Sequence, residues 1–270
     1  MMKIGFIGLG NMGGSLARLV AQDERFRSEL LLANRSRDKA EKIAAEVGGQ
    51  PVSNAEVFAQ AEVIFLGIKP AQFADLLADY REILEKRESL LLVSMAAGLP
   101  LELLEKLAPS HHRWIRIMPN TPVAVGEGVI TYALSQQANQ ADEDLLRELL
   151  SSAGLLVKLE EKQLDAATAL AGCGPAFVYL FIEALADAGV RAGLSRDISL
   201  ELANQTLLGA AKLSQASGQH PAQLKDQVCS PAGSTIAGVA SLEENAFRGT
   251  VMDAVQAAYK RTQELGKSGN

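Results

Sequence analysis

Through residue 159, apolar residues fall in short runs that alternate with stretches of helical spacing. The run Ile4, Phe6, Ile7 enters Gly8-Leu9-Gly10-Asn11-Met12-Gly13, and apolar residues at Leu16, Leu19 and Val20 follow. That order predicts strand, glycine turn and helix. Further strands are predicted at 30–33, near Pro51-Val52, and at 61–68, 90–93 and 114–118. The 61–68 run is nearly all apolar, as in a strand buried on both faces of a parallel sheet. Helices are predicted at 38–46, from Ser53-Asn54 onward, at 73–83 and at 101–107, and a helix at 142–151 separates two more strands at 128–133 and 155–158. Strands alternating with helices predict an α/β fold built on a doubly wound parallel sheet.

From Glu160 on, only helical spacing remains. Helices are predicted at 164–171, 176–193, 197–217 and 221–226, from Ile236 onward, and at 246–265. Gly172-Cys173-Gly174-Pro175 is expected to break the chain before the second of these. The division expected is a sheet domain, 1–159, and an all-helical domain, 160–270. Helix 176–193 is apolar nearly all round, with Glu183 and Asp187 four residues apart on one face. It should be buried on most sides. A domain of about 100 residues has little core in which to hide it. A partner subunit is the expected cover; burial against the first domain is the alternative.

Composition narrows the functional classes. Of 270 residues, 48% are hydrophobic, enough for a packed core, and the net charge of -6 has no basic face suited to nucleic acid. No segment is expected to approach the ~18–20 apolar residues of a membrane span. The first strand begins so early that no signal peptide is expected, and a cytoplasmic protein is. Cys173 and Cys229 are too few and too far apart for a zinc site or a disulfide framework. They read as packing residues, and no metal is expected.

In a strand–turn–helix unit, Gly8 permits the tight turn, Gly10 lets a pyrophosphate approach the backbone, and Gly13 lets the helix pack closely. The helix start then offers free N–H groups to phosphate. The alternative is a glycine turn that binds nothing. About twenty residues beyond Gly13, where an NAD-selecting protein places an acid, stand Asn34-Arg35-Ser36. A carboxylate would repel a 2′-phosphate, whereas a guanidinium and hydroxyls would bind it, so NADPH is expected over NADH, with NADH possible. The alternative is that Arg35 points to solvent. Ser230-Pro231-Ala232-Gly233-Ser234-Thr235 precedes another helix; its free N–H groups could hold a carboxylate, or it is an ordinary capped helix start. His111 and His112 read as solvated turn residues, and His220 as a turn cap. Reduction of a ketone usually needs a proton donor at the oxygen; Lys69 could serve, or, standing before Pro70 at a strand end, could equally bind cofactor or orient a loop. An imine can arrive already protonated, so position and a nearby hydroxyl suffice.

Four segments together resemble the pyrroline-5-carboxylate reductase family: GFIGLGNMG, Met118-Pro119-Asn120-Thr121-Pro122, Ala171-Gly172-Cys173-Gly174-Pro175-Ala176, and the stretch from His220 through Thr235. The resemblance spans nearly the whole chain. It implies an N-terminal Rossmann-type doubly wound sheet and a C-terminal all-helical dimerisation domain, with homodimers that often assemble into rings. It implies reduction of 1-pyrroline-5-carboxylate to L-proline with NAD(P)H, the last step of proline biosynthesis, on a small cyclic imino acid. Carried over, Thr235 approaches the imine nitrogen as the catalytic residue, Gly233 and Ser234 hold the carboxylate, and Val228 and Ser230 line the approach. The cofactor would lie on Ile7, Gly8, Leu9, Gly10, Asn11 and Met12, on Asn34, Arg35 and Ser36, on Asn54, on Ile68, Lys69 and Pro70, and on Ala96, Ala97 and Gly98. The family loop has glycine where this chain has Ala232, which bears on loop geometry. A β-hydroxyacid dehydrogenase-like enzyme shares the opening motif but relies on a Lys at the start of its second domain, and residues 172–193 contain none. A dinucleotide sensor that has lost catalysis is the third reading; the presence of Thr121, Ser230 and Thr235 speaks against it.

Overall fold

The computed structural model describes residues 2–267. The chain forms two compact units: residues through Cys173 together with the chain from Ala258 on, and Gly174–Ala257.

The first unit opens with β1 (Ile4–Ile7), α1 (Asn11–Val20), a short α2 (Glu24–Arg27), β2 (Leu30–Ala33) and α3 (Arg37–Val47). It continues with β3 (Gln50–Pro51), α4 (Asn54–Gln60), β4 (Val63–Leu66), α5 (Phe73–Asp79), α6 (Arg81–Lys86), β5 (Leu91–Ser94), α7 (Leu101–Leu107) and β6 (Arg113–Pro119). A 3-10 turn leads to β7 (Gly128–Leu134), then α8 (Gln140–Leu149), β8 (Gly154–Lys158) and α9 (Leu164–Ala167). The strands form one sheet in the order β3-β2-β1-β4-β5-β6-β7-β8. The order reverses at β1, which is the crevice where such sheets bind ligands. Ile7 stands level with Ala33 on one side and Leu66 on the other, so three strand ends share that edge.

The sheet is buried on both faces, as its apolar runs require. One core packs α1, α3 and α8 against Phe6 and Phe65, whose rings stack 4.7 Å apart. The other packs α4 through α7 around Phe58, Phe73 and Trp114.

Four local differences from the sequence reading have physical causes. First, β7 runs antiparallel to β6. Residues 120–127 are too few for a crossover helix, so the chain can only fold back. Second, the single helix expected at 73–83 divides at Tyr80, which leaves helical geometry (φ -110°, ψ 16°) and packs its ring on Phe58. Third, α2 is additional; Asp23 caps it by accepting from the Arg25 N–H. Fourth, His112 is buried, not solvated. Its Nδ1 accepts from the Leu90 N–H at 3.2 Å, tying the turn before β6 to the start of β5.

The glycine-proline break is also milder than expected. Residues Thr168–Gly172 form a π turn, closed by Cys173 N–H donating to the Thr168 carbonyl, and α10 (Gly174–Arg191) follows at once. In a continuous α-helix the Ala171 carbonyl would accept from residue 175, but proline has no N–H. Asn120 supplies the missing donor: its Nδ2 reaches the Ala171 carbonyl at 3.0 Å while its Oδ1 accepts from Val129 N–H at 2.8 Å. Two sequence motifs distant in the chain are thus joined through one amide. Nearly buried Arg116 pins the preceding segment through Glu161 and Asp165, both at 3.3 Å.

The second unit contains α10, α11 (Arg196–Ser217), α12 (Pro221–Gln227), α13 (Ser234–Glu244) and most of α14 (Phe247–Lys267). In one copy, of the described residues in these helices, only Ala186, Ser199 and Ala203 are buried. Leu180 is 69% exposed and Met252 66% exposed. Phe177, Phe181, Leu207, Phe247 and Val251 line an apolar groove of about 410 Å³. The helical run 161–191 is long and apolar enough, by length and composition, to cross a membrane. The sequence reading overlooked it, because Glu183 and Asp187 interrupt the run.

Two outcomes are expected from these contacts. Asn120→Ala should cost about 2 kcal/mol in urea unfolding, since it leaves the Ala171 carbonyl without a donor. Pro175→Ala restores an N–H, so the double variant should recover about 1 kcal/mol relative to additivity; strict additivity contradicts the shared carbonyl. For His112, burial, followed by the charge of neighbouring His111, pushes the pKa down to about 4 from 6.5. Between those values the unfolded chain binds the proton and the folded one does not, so stability falls as pH drops from 6.5 towards 4. Urea midpoints across that range should slope less in His112→Gln, which keeps an acceptor for Leu90.

Candidate functional site

The chain leaves β1 through Gly8, whose φ of +92° suits glycine alone. A Cβ on Gly8 would lie 2.6 Å from the Gly67 carbonyl oxygen, one on Gly67 2.6 Å from the Gly8 oxygen, and one on Gly13 2.1 Å from the Gly8 oxygen. Three glycines, from the ends of β1 and β4 and the start of α1, therefore pack backbone against backbone. This seats the first turn of α1 at the sheet edge. Gly10 caps α1 with no side-chain capping bond, and the first turn carries no acid. A Cβ on Gly10 would meet no atom within 4 Å. It would instead fill the space into which the helix start opens, so the residues present fit a phosphate cradle.

The turn is braced from β2. Asn34 Oδ1 accepts from the Leu9 N–H at 3.0 Å, and its Nδ2 donates to the Ser36 carbonyl at 3.2 Å. Next to this brace lies a cleft of about 740 Å³. It brings together Ile7, Gly8 and Gly10 from the turn, Asn34, Arg35 and Ser36 from the end of β2, Asn54 from α4, and Ile68 and Lys69 beyond β4. Arg35 therefore lines the cleft. Leu9 and Asn11 line a neighbouring cleft of about 360 Å³, which shares Gly10 and Lys39. The other expected residues line neither: Met12 packs on the core, Pro70 sits exposed at the start of a 3-10 turn, Ala96 is buried, and Ala97 and Gly98 lie in the loop after β5.

The sequence reading missed six lining residues, Lys39, Gly67, Gln72, Asp75, Leu76 and Asp79. Residues 72, 75, 76 and 79 share one helical face, a spacing that could have placed them together. Lys39 stands three residues beyond Ser36, on the same face.

In the second unit, Val228 to Thr235 lead into α13. The Gly233 N–H donates to the Ser230 carbonyl at 3.1 Å, closing a turn with Pro231 second and Ala232 third. Ala232 has φ 55°, the left-handed region that a type II turn demands of its third residue. A Cβ on Gly233 would lie 2.3 Å from Ser230 Oγ and 3.1 Å from the Ser230 carbonyl oxygen, so a larger residue here would push the Ser230 hydroxyl aside. Gly233 caps α13 with no side-chain capping bond, and no acid stands in the first turn. Val228, Ser230, Ser234 and Thr235 are all exposed.

The reversing sheet, its glycine cradle and the helical second unit define the class: a two-part dinucleotide-binding oxidoreductase of Rossmann type. Comparison with known proteins narrows this. Residues 161–265 match the family described as pyrroline-5-carboxylate reductase dimerisation, and residues 3–98 match that described as NADP oxidoreductase, coenzyme F420-dependent. The chain is 45% identical to a pyrroline-5-carboxylate reductase of Pisum sativum over 264 residues, covering 97% of this chain and 95% of that protein. A pyrroline carboxylate reductase of Plasmodium falciparum, solved with NADP bound, superposes with a TM-score of 0.87 at 37% identity and 98% coverage of both chains. One from Coxiella burnetii superposes with a TM-score of 0.89 at 30% identity and the same coverage. The chain belongs to the pyrroline-5-carboxylate reductase family.

Ala232 is strained where glycine would not be. Ala232→Gly should therefore stabilise the protein by up to about 1 kcal/mol, and Ala232→Val should destabilise it further. Denaturant midpoints check both; a lower midpoint for the glycine variant contradicts the strain.

Proposed function

We propose that the protein reduces 1-pyrroline-5-carboxylate to L-proline with NADPH, NADH serving less well, as the last step of proline biosynthesis. The observation that carries this reading is the uncapped start of α13, where free N–H groups stand beside the exposed Ser234 and Thr235 hydroxyls. An anionic ring with a carboxylate next to nitrogen suits that pairing of main-chain donors and a hydroxyl.

The cleft residues would hold the coenzyme as follows. The α1 start and Gly10 take the pyrophosphate, Arg35 and Ser36 the 2′-phosphate, and Asn54, Ile68 and Lys69 the remainder. Leu9, Asn11 and Met12 carry the turn itself, and Pro70 and Ala96 to Gly98 flank the strand ends. When bound, the nicotinamide supplies the hydride that reduces the C=N bond. The free N–H groups at the α13 start, from Ser234 on, would bind the carboxylate beside Gly233, whose own N–H is taken by the Ser230 carbonyl, with Val228 and Ser230 along the approach. Thr235 keeps a hydroxyl at the ring nitrogen and orients it. No side chain need deliver a proton in this step, because the imine nitrogen already bears one; a site without histidine is therefore sufficient.

A second copy is proposed to cover the apolar faces of α10, α11 and α14, giving a homodimer and possible rings of dimers. The exposed leucines and the apolar groove support that cover over lipid or nucleic acid, and the acidic composition suits a cytoplasmic setting. The match beginning at residue 161 supports the division into 1–159 and 160–270.

Thr235→Ala is expected to lower kcat about 100-fold while the Kd for NADPH, read by fluorescence titration, stays within about twofold. Near-native turnover removes Thr235 from the chemistry. Light scattering should return a multiple of 28.7 kDa for the native chain. A lone 28.7 kDa species contradicts the proposed cover.

A further inference from the structure

We infer that Glu161 is a positioning residue for the hydride transfer and acts through the loop that follows β5. This rests on the reduction proposed above, which puts Ala96, Ala97 and Gly98 beside the coenzyme. The loop leaves β5 at the sheet edge that carries the glycine turn: Ser94 stands level with Leu66, and Leu66 with Ile7. Its near end is fixed by the sheet. Met95 N–H donates to the Leu66 carbonyl at 3.2 Å, and Ala96 N–H to the buried Ser94 Oγ at 3.2 Å. Its far end enters α7 through Pro100, which caps that helix with no side-chain bond. Leu101 is buried, so its N–H, the first of α7, needs a partner from elsewhere in the chain. Glu161 is that partner: its Oε1 accepts from the Leu101 N–H at 2.6 Å.

The carboxylate is itself held in place. Arg116 stands in β6 level with Ser94 and is 4% exposed. Its Nη1 donates to Glu161 Oε1 and its Nη2 to Asp165 Oδ1, each at 3.3 Å. A buried guanidinium requires such partners, and this one also fixes where the Glu161 oxygen stands. Asp165 serves the same guanidinium, but among the described residues no hydrogen bond joins it to the loop. Glu161 therefore has two separable properties: the reach of its oxygen to Leu101, and the charge it sets against Arg116. The reach bears on the chemistry, because Ala97 to Pro100 span the gap between the two anchors and slack at Leu101 passes to Ala97 and Gly98. Hydride transfer is sensitive to displacements of about 1 Å at the reacting centre.

The test separates reach from charge in the full-length protein. Glu161→Asp keeps the charge and shortens the reach. Glu161→Gln keeps an oxygen for Leu101 and removes the charge. Asp165→Asn removes a charge beside Arg116 and leaves Leu101 alone. For each, three quantities are measured: turnover of 1-pyrroline-5-carboxylate with NADPH, the Kd for 2′,5′-ADP, and hydrogen exchange of the 95–101 amides in the coenzyme-free protein. Glu161→Asp should lower kcat about tenfold and speed exchange at Leu101 about tenfold, with KM for the imine and the Kd for 2′,5′-ADP within about twofold. Glu161→Gln and Asp165→Asn should keep kcat and Leu101 exchange within about threefold of native. The reverse order, with Glu161→Gln slow and Glu161→Asp near native, would assign the effect to the ion pair and overturn the inference. A fall in kcat without faster exchange, or faster exchange without a fall in kcat, overturns it as well, as do equal losses of kcat and of 2′,5′-ADP affinity. If the native chain does not turn over 1-pyrroline-5-carboxylate, the proposed function fails, and the inference with it. If native turnover is present and Glu161→Asp keeps it, only the inference fails.

Discussion

The contact on which the first unit turns is made by three glycines with no side chain among them. Gly8, Gly13 and Gly67 bring the ends of two strands and the start of a helix to a separation that a single methyl group would block. Everything that makes the edge a binding place follows from that distance. The α1 start sits where the sheet order reverses, its N–H groups point out of the edge, and Gly10 leaves the space ahead of them clear. The edge thus presents main-chain donors, with the charged side chains of Arg35, Lys39 and Lys69 at the rim of the cleft.

The second unit inverts this economy. Its helices carry large apolar side chains and, in one copy, the described residues bury almost none of them. Hydrophobic stabilisation scales with area removed from water, so these helices gain little as single-copy elements. A sequence that keeps so many leucines on outward faces specifies an assembly as much as a chain. The Ser230–Gly233 turn before α13 is set on that scaffold. The strained Ala232 turn shows that local backbone preference yields to the geometry the loop must hold.

Much of this was legible in the sequence, because its signals are periodic. Apolar runs and helical spacings placed all eight strands and most helices within a few residues, and the glycine spacing located the cradle. What escaped depends on contacts between distant positions. No periodicity reveals that Tyr80 leaves the helix to meet Phe58, that β7 folds back on β6, or that His112 is drawn inward by the Leu90 N–H. Lys39 escaped for a related reason: a lysine on a polar helix face looks solvated until the fold puts a cleft beside it.

Asn34 shows how one side chain can brace two segments at once. As an acceptor it holds the Leu9 N–H and stiffens the glycine turn; as a donor it holds the Ser36 carbonyl and fixes the entry to α3. A carboxylate at 34 could do the first and not the second, because it has no donor to offer Ser36. It would also place a negative charge beside Arg35, drawing the guanidinium to itself and away from any incoming phosphate. On the NADPH reading proposed above, replacing the amide by an acid would weaken that preference by two routes at once, loosening the loop that presents the cations and neutralising one of them. The amide is the side chain that permits both the brace and the open positive rim.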